Sequence, residues 1–178
     1  MKSTFLFLLL FISTFTFGQI SNLQLKNVVV VGQLDRPEDR YTIEVNVTEQ
    51  FTEAGIKAIP SLNLLKQGSD EALLAGDSLK AVVASKGFDT YVLVSIRGYD
   101  RKFKATERQD DFPTALGVGN LFPIYRDEVA SVSFEFLFYR NGQLIGSDVL
   151  KCGNVSDKDS VIKKFRKVLA KHIQKKWL

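Results

Sequence analysis

Alternation of hydrophobic and polar residues predicts the strands of this chain. Residues 28–31 are four consecutive valines, which is typical of a central strand covered on both faces. A short strand follows at 56–60, and a longer one at 90–99 has Val92, Val94 and Ile96 on one of its faces. These segments supply three of the five strands that we predict.

A β-hairpin is the clearest feature of the pattern. Segments 131–140 and 143–152 flank Asn141-Gly142, which supplies the two positive-φ residues of a type I′ turn. Pairing Arg140 with Gln143 fixes the register. One face then holds core residues, namely Phe134, Phe136, Phe138, Ile145 and Val149, and the other face holds Ser133, Glu135, Leu137, Tyr139, Leu144, Asp148 and Leu150.

Helical periodicity appears in three segments. Asp35 as N-cap, Pro37 in the first turn and a stop at Gly55 favour a helix over a strand, although residues 42–48 alternate like a strand. A second helix begins at Asp70 or Asp77 and ends near residue 86. A third, basic helix begins after Ser156 and continues to about residue 177.

The order of these elements predicts the fold class. Strand, helix, strand, helix, strand, hairpin and helix make one α/β (α+β) domain with a mixed five-stranded sheet and about three helices. This domain covers residues 19–178. Residues of about 100–125 show no strong periodicity and are expected to form a long loop.

The N-terminal segment has the composition of a secretory signal peptide. Lys2 precedes an apolar stretch at 5–12, and small residues at Thr16 and Gly18 predict cleavage after residue 18. About 20 apolar residues are needed to cross a bilayer, so no membrane span is expected. No cysteine follows the stretch, so we expect a soluble periplasmic or secreted protein without a lipid anchor.

Composition gives little support for catalysis. The chain has one histidine, His172, and one cysteine, Cys152, so a zinc site lacks ligands and a Cys–His pair would need both residues in one cleft. Cys152 is expected to be a buried strand residue, with an intermolecular disulfide or a reactive thiol as the alternatives. We predict no catalytic residue, no metal and no cofactor.

Four segments resemble small bacterial envelope domains. They are the strand at 27–32, the helix exit at 54–60, the segment 86–94 and the Asn141-Gly142 hairpin. In this order they resemble the N-terminal domain of TolB-type proteins and the LpoB-type periplasmic lipoproteins, which activate a peptidoglycan synthase. The resemblance implies a domain that binds other proteins, and it carries over no functional residue.

One sheet face and the long loop are the predicted partner-binding surface. The face carries tyrosine, leucine and arginine, which are enriched in protein interfaces, and the loop adds two residues. The residues are Tyr91, Leu93, Arg97, Tyr99 and Tyr139 on the face, and Asp111 and Phe112 in the loop. The alternative is that a helix or the loop covers this face.

Two charged features allow more than one interpretation. In the predicted register Glu135 faces Asp148. One interpretation is that water and a nearby arginine, Arg97 or Arg140, screen the two like charges. The other is that the two carboxylates form an acid/base site or a cation site. The basic side of the C-terminal helix has three interpretations. It is a solvated outer surface, or it contacts an anionic membrane or cell wall. The third interpretation, a contact with nucleic acid, fits a secreted protein least.

We therefore expect a non-enzymatic envelope protein that acts as a protein-binding or adaptor domain, with another envelope protein as its partner. The alternative is a small-ligand or cell-wall binding protein whose 104–123 loop closes on the ligand. An enzyme that uses Glu135 and Asp148 is a third hypothesis.

Overall fold

The structure is a computed structural model that describes residues 23–65, 69–105, 110–117 and 121–178. The predicted signal peptide lies outside the described residues and stays a prediction. Parts of the long loop, at 106–109 and 118–120, also lie outside them.

Five strands form one mixed sheet in the order β2-β1-β3-β4-β5. Strand β1 lies between β2 and β3 and runs parallel to both, and β3, β4 and β5 are joined antiparallel. The strands are β1 (Asn27–Gln33), β2 (Lys57–Pro60), β3 (Thr90–Tyr99), β4 (Ser131–Arg140) and β5 (Gln143–Gly153). The predicted fold class is confirmed.

Helices cover both faces of this sheet. Within the described residues the helices are α1 (Pro37–Glu53), α2 (Asp77–Ser85), α3 (Phe112–Gly117) and α4 (Lys158–His172), and α4 continues as a π-helical turn (Ile173–Trp177). Two 3₁₀ turns, Ser61–Asn63 and Glu71–Ala75, precede α2. Of the two starts predicted for the second helix, Asp77 is confirmed, because the residues just after Asp70 form a separate 3₁₀ turn. Helix α3 lies in a segment that we expected to be loop.

The face covered by α1 and α4 holds the larger core, and we call it the main face. Its aromatic centre joins Phe134, Phe136 and Phe138 of β4 to Phe165 of α4 and to Trp177, all of them fully buried. The ring centroids of Phe134 and Phe165 are 4.4 Å apart, and that of Phe136 lies 5.0 Å from Trp177. The alternating phenylalanines therefore pack where the hairpin pattern predicted.

The opposite face, which we call the second face, has a thinner cover. Val29, Val31 and Leu93 of the sheet form one cluster there with a few residues from each of several short elements, such as Leu74 and Val83. Helix α2 buries only Val83. This face is therefore closed by several short segments rather than by one long helix.

Two β-bulges change which residues share a face. Arg97 is an extra residue in β3, because Ile96 pairs with Phe134 and Gly98 pairs with Ser133. Ile145 is an extra residue in β5, because Gly146 pairs with Phe138 and Leu144 pairs with Tyr139. A bulge inserts one residue against its partner strand and so reverses the side-chain alternation beyond it.

The second bulge overturns part of the predicted hairpin. Asp148 pairs with Phe136, and Glu135 pairs with Val149. Asp148 and Leu150 therefore lie on the main face, whereas Ile145 is 37% exposed and Val149 leaves the predicted core face. Arg140 pairs with Gln143 as predicted, and Asn141 and Gly142 both have positive φ.

Two predicted helix caps are shifted by one residue. Arg36, and not Asp35, is the N-cap of α1, and its side chain makes no capping hydrogen bond, although Pro37 opens the helix as predicted. Asp157, and not Ser156, is the N-cap of α4, in a reciprocal capping box with Ser160. The lengths of both helices follow the predicted pattern.

Candidate functional site

Most of the predicted contact surface is buried. Tyr91 is 8% exposed, and Leu93 and Tyr139 are each 1% exposed. Phe112 of α3 stacks on Tyr91 with ring centroids 4.3 Å apart and lies 5.5 Å from Tyr139. The covering alternative is therefore confirmed, and Phe112, itself 1% exposed, is part of the cover.

The cover is fixed by polar contacts at both ends of α3. The exposed Asp111 accepts a hydrogen bond from the Thr114 backbone N–H at 3.0 Å, and the bonds with Thr114 lower the pKa of Asp111. Gln33 at the end of β1 donates from its side chain to the carbonyl oxygens of Ala115 and Leu116, both at 3.2 Å. Asp111 thus begins α3 and lies outside any cluster with the other predicted residues.

Arg97 is the one predicted face residue that stays exposed on the second face. Its guanidinium Nη1 lies 3.7 Å from Glu135 Oε2. Glu135 is largely buried, and this pair is the neutralising contact expected from the sequence. The Glu135–Asp148 pair that the third hypothesis needs is absent, because the two carboxylates point to opposite faces of the sheet.

The Arg97 bulge moves Tyr99 onto the main face, where it packs against the edge of the core. Its ring meets Phe122 edge to face with centroids 6.1 Å apart, and the Arg126 guanidinium carbon lies 4.9 Å from the Tyr99 ring and 5.1 Å from the Phe122 ring. Leu121 beside them is 49% exposed. We call Tyr99, Leu121, Phe122, Tyr125 and Arg126 the aromatic corner.

Hydrogen bonds hold the aromatic corner against two helices. The Tyr99 hydroxyl donates to the Pro123 carbonyl, and the Tyr125 hydroxyl donates to the Ser156 carbonyl at 2.7 Å. The Ile124 N–H donates to Asp39 Oδ2 at 3.0 Å, at the start of α1. Burial raises the pKa of Tyr99, against the opposing charge of Arg126.

Sequence reasoning singled out Tyr99 but missed the rest of the aromatic corner. Phe122, Tyr125 and Arg126 stand in a segment without regular periodicity, so no helix or strand pattern marked them. The available signal was Gly98, because an isolated glycine inside a strand indicates a bulge or a close approach. A Cβ at Gly98, where φ is +151°, would lie 2.5 Å from the Phe103 ring.

A second polar site lies between β5 and the end of α4. The buried Asp148 carboxylate is bonded to His172 Nδ1 at 2.9 Å, accepts from Trp177 Nε1 at 3.1 Å and lies 3.4 Å from Lys176 Nζ. Burial opposes ionisation of this carboxyl, but the His172 hydrogen bond and the Lys176 charge lower its pKa. The lone histidine is thus held by an aspartate. We call Asp148, His172, Lys176 and Trp177 the C-terminal clamp.

A shallow cavity lies beside this clamp. Its volume is about 230 Å³, and it is lined by Val168, Lys171, His172, Lys175 and Lys176. Four of these five residues have basic side chains, but the surface that faces the cavity is mostly apolar, so the aliphatic stems of the lysines form much of its wall.

A buried carboxylate also lies at the carboxyl ends of β1 and β2, where ligands often bind in α/β sheets. Glu44 is fully buried. It accepts hydrogen bonds from the Gly32 N–H, Arg40 Nε, the Ser61 hydroxyl and the Leu62 N–H at 2.7–3.1 Å. With four donors in place, this carboxylate joins α1 to the two strand ends.

Cys152 is a buried strand residue, as expected. It is 0% exposed and lies in the main-face core, and burial raises the pKa of its thiol to about 12. Across the described ranges, no three His, Cys, Asp or Glu side chains are grouped closely enough to hold a metal ion. Within the same ranges, none of the helices combines the length and the apolar character that a membrane span requires.

No protein-family model matches the chain, and no curated protein matches it by sequence. Solved structures with a similar fold include lipoprotein GNA1162 from Neisseria meningitidis, with a TM-score of 0.46 and 11% identity over 84% of this chain and 98% of that one. They also include the PelC dodecamer from Paraburkholderia phytofirmans, with a TM-score of 0.44 and 12% identity over 88% of this chain and 91% of that one. The likeness is one of fold.

Proposed function

We propose that this protein is a non-enzymatic binding domain of the cell envelope that contacts a protein partner through the aromatic corner. The observation that carries the proposal is the Arg126 guanidinium lying over Tyr99 and Phe122 at the edge of the sheet. The contact surface expected from the sequence thus moves from the second face to this corner, because Tyr91, Leu93 and Tyr139 are buried.

The composition of the corner supports a protein partner. Tyrosine, phenylalanine and arginine are enriched in interface cores, and arginine and tyrosine contribute strongly when they become buried on binding. Leu121 is half-exposed, and Phe122 and Tyr125 are partly exposed, so apolar area is available to a partner. The predicted secretory signal would bring this domain to the envelope.

The fixed geometry of the corner also supports binding. Segment 122–125 is tied to β3, to α1 and to the residue before the N-cap of α4 by hydrogen bonds from Tyr99, Ile124 and Tyr125. A surface that is already ordered loses little conformational entropy when a partner binds. The alternative in which the 104–123 loop closes on a small ligand stays a prediction.

Site-specific photo-cross-linking tests the proposal in cells that produce the protein. A photoreactive residue replaces Leu121 in the corner or, as the matched control, Leu73, which is 54% exposed on the second face. We expect one discrete heteromeric product from position 121 and none from position 73. Arg126→Glu should abolish that product, whereas Lys80→Glu on α2 should leave it unchanged.

Two results would overturn the proposal. One is the absence of any product from position 121 in folded protein. The other is the same set of products from positions 121 and 73, which would indicate random collisions rather than a defined contact.

A further inference from the structure

The solvent side of α4 carries a continuous row of lysines. Lys163, Lys167, Lys171 and Lys175 are spaced four residues apart and are all exposed. At a rise of about 1.5 Å per residue the row is about 18 Å long. Among the described residues, none of the four forms an ion pair with an acidic side chain.

Other basic residues of the same helix are neutralised. Lys158 pairs with the buried Asp39, and Arg166 pairs with Glu49 at 2.6 Å. Acidic residues of α1 therefore face one side of α4 and do not reach the row. The positive charge of the row is left for an external anion.

The apolar side of α4 is already occupied. Val161, Phe165 and Leu169 are fully buried against the sheet, and Trp177 is tied to Asp148. The helix therefore cannot turn its apolar side into a bilayer, as an inserting amphipathic helix does. It presents its lysines as a fixed ridge that can bind only by charge.

The cavity beside the C-terminal clamp lies at one end of this ridge. Lys171 and Lys175 belong to both, and His172 and Lys176 complete the basic lining. The hydrogen bond between Asp148 and His172 Nδ1 fixes the ring that lines the cavity. The cavity wall is mostly apolar, so the row of charged lysine ends is the part of the ridge that an anionic surface would meet.

We propose that the lysine row forms a docking surface for a membrane of anionic phospholipids. An extended row matches a surface that presents many phosphates better than it matches one small anion. Lysines near an anionic membrane each strengthen binding by about fivefold, and salt screens the attraction. This inference does not rest on the aromatic corner.

Vesicle flotation of the purified protein tests it. We expect flotation with vesicles in which a third of the lipid is phosphatidylglycerol, none with pure phosphatidylcholine, and release when salt rises from about 0.1 M to about 1 M. The double variant Lys171→Gln, Lys175→Gln should bind about 25-fold more weakly. The control Lys80→Gln, Lys86→Gln removes the same charge from and just after α2 and should bind like the wild type.

Four results would overturn the assignment. They are no flotation with anionic vesicles, an equal loss in both double variants, full displacement by inorganic phosphate at constant ionic strength, and binding to soluble polyphosphate as strong as to vesicles. The third would indicate a site for a small anion, and the fourth a site for an anionic polymer.

Discussion

The two faces of the sheet are built in different ways. Two long helices close the main face, and their apolar stripes pack against the alternating phenylalanines of β4 in a core that also includes Trp177. The second face is closed by a nine-residue helix, a six-residue helix and the 3₁₀ turn Glu71–Ala75, which each add one to three buried residues. One face is thus a continuous core, and the other is a set of separate contacts.

This difference predicts which contacts are lost only when the whole domain unfolds and which can be lost by local opening. A residue under α4 contacts several elements at once, so truncating it lowers the free energy of unfolding of the whole domain. A residue under α3 is held by a short segment inside a long connection, and that segment can detach locally. Elements with few buried contacts open at lower free energy than the core.

The largest expected effect is Phe165→Ala, compared with Phe112→Ala. Both rings are at most 1% exposed, but Phe165 packs on two β4 phenylalanines and Phe112 on two tyrosines. We expect Phe165→Ala to lower the free energy of unfolding by about 5 kcal/mol and Phe112→Ala by about 3 kcal/mol. Urea denaturation followed by far-UV circular dichroism measures both, and an equal or reversed order would refute the comparison.

Asp148→Asn tests the clamp that completes the main face. The variant weakens hydrogen bonds to a charged carboxylate, so we expect a loss of about 2–3 kcal/mol at neutral pH. Because the folded pKa of Asp148 is lowered, the wild-type advantage is complete above about pH 5 and shrinks as pH falls through about 3.9, the unfolded value, and below it. Fluorescence of Trp177, the single tryptophan, follows unfolding, and an advantage independent of pH would contradict this role.

Gly98→Ala tests the bulge that assigns Tyr99 to the main face. The new methyl group would meet the Phe103 ring at 2.5 Å in a left-handed backbone, so we expect a loss of about 2 kcal/mol. Gly142→Ala is the control, with a positive φ but nothing within 4 Å, and should cost about 1 kcal/mol. Adding Phe103→Ala to Gly98→Ala should recover part of the difference, and thermal melts that show no recovery would exclude the clash.

The smallest expected effect is that of Arg97→Gln on the second face. Arg97 is more than a third exposed and lies 3.7 Å from Glu135, so the pair contributes less than about 1 kcal/mol. The melting temperature should change little. Its dependence on salt concentration should be weaker than in the wild type, because the charge pair with Glu135 is removed. A loss as large as that of Asp148→Asn would show that the second face also depends on a buried charge.

The sequence predicts those features that depend on residues close together along the chain. The hairpin turn follows from Asn141-Gly142, and the core phenylalanines follow from their alternation within one strand. Both features need only a few consecutive residues. The order of the strands and of α1, α2 and α4 follows for the same reason, whereas the short helix α3 was not predicted.

What the sequence left open depends on single-residue shifts and on distant segments. The bulges at Arg97 and Ile145 each stand beside a glycine, Gly98 and Gly146, but a glycine alone does not fix which residue becomes the extra one. Their omission put Tyr99 and Asp148 on the wrong faces. The role of Phe112 as a cover depends on Tyr91 and Tyr139, which are far from it along the chain.

The bulge at Ile145 also has a consequence for comparing this chain with its homologues. Deleting that one residue would restore the regular ladder and shift every side chain from the hairpin turn to Leu144 relative to the rest of β5. Against a homologue that lacks the extra residue, an alignment without an internal gap in this strand would match Asp148 to a residue on the other face of the sheet. Homologues should therefore be aligned so that Asp148 is matched together with its partners His172 and Trp177. Insertions and deletions should be allowed inside β5.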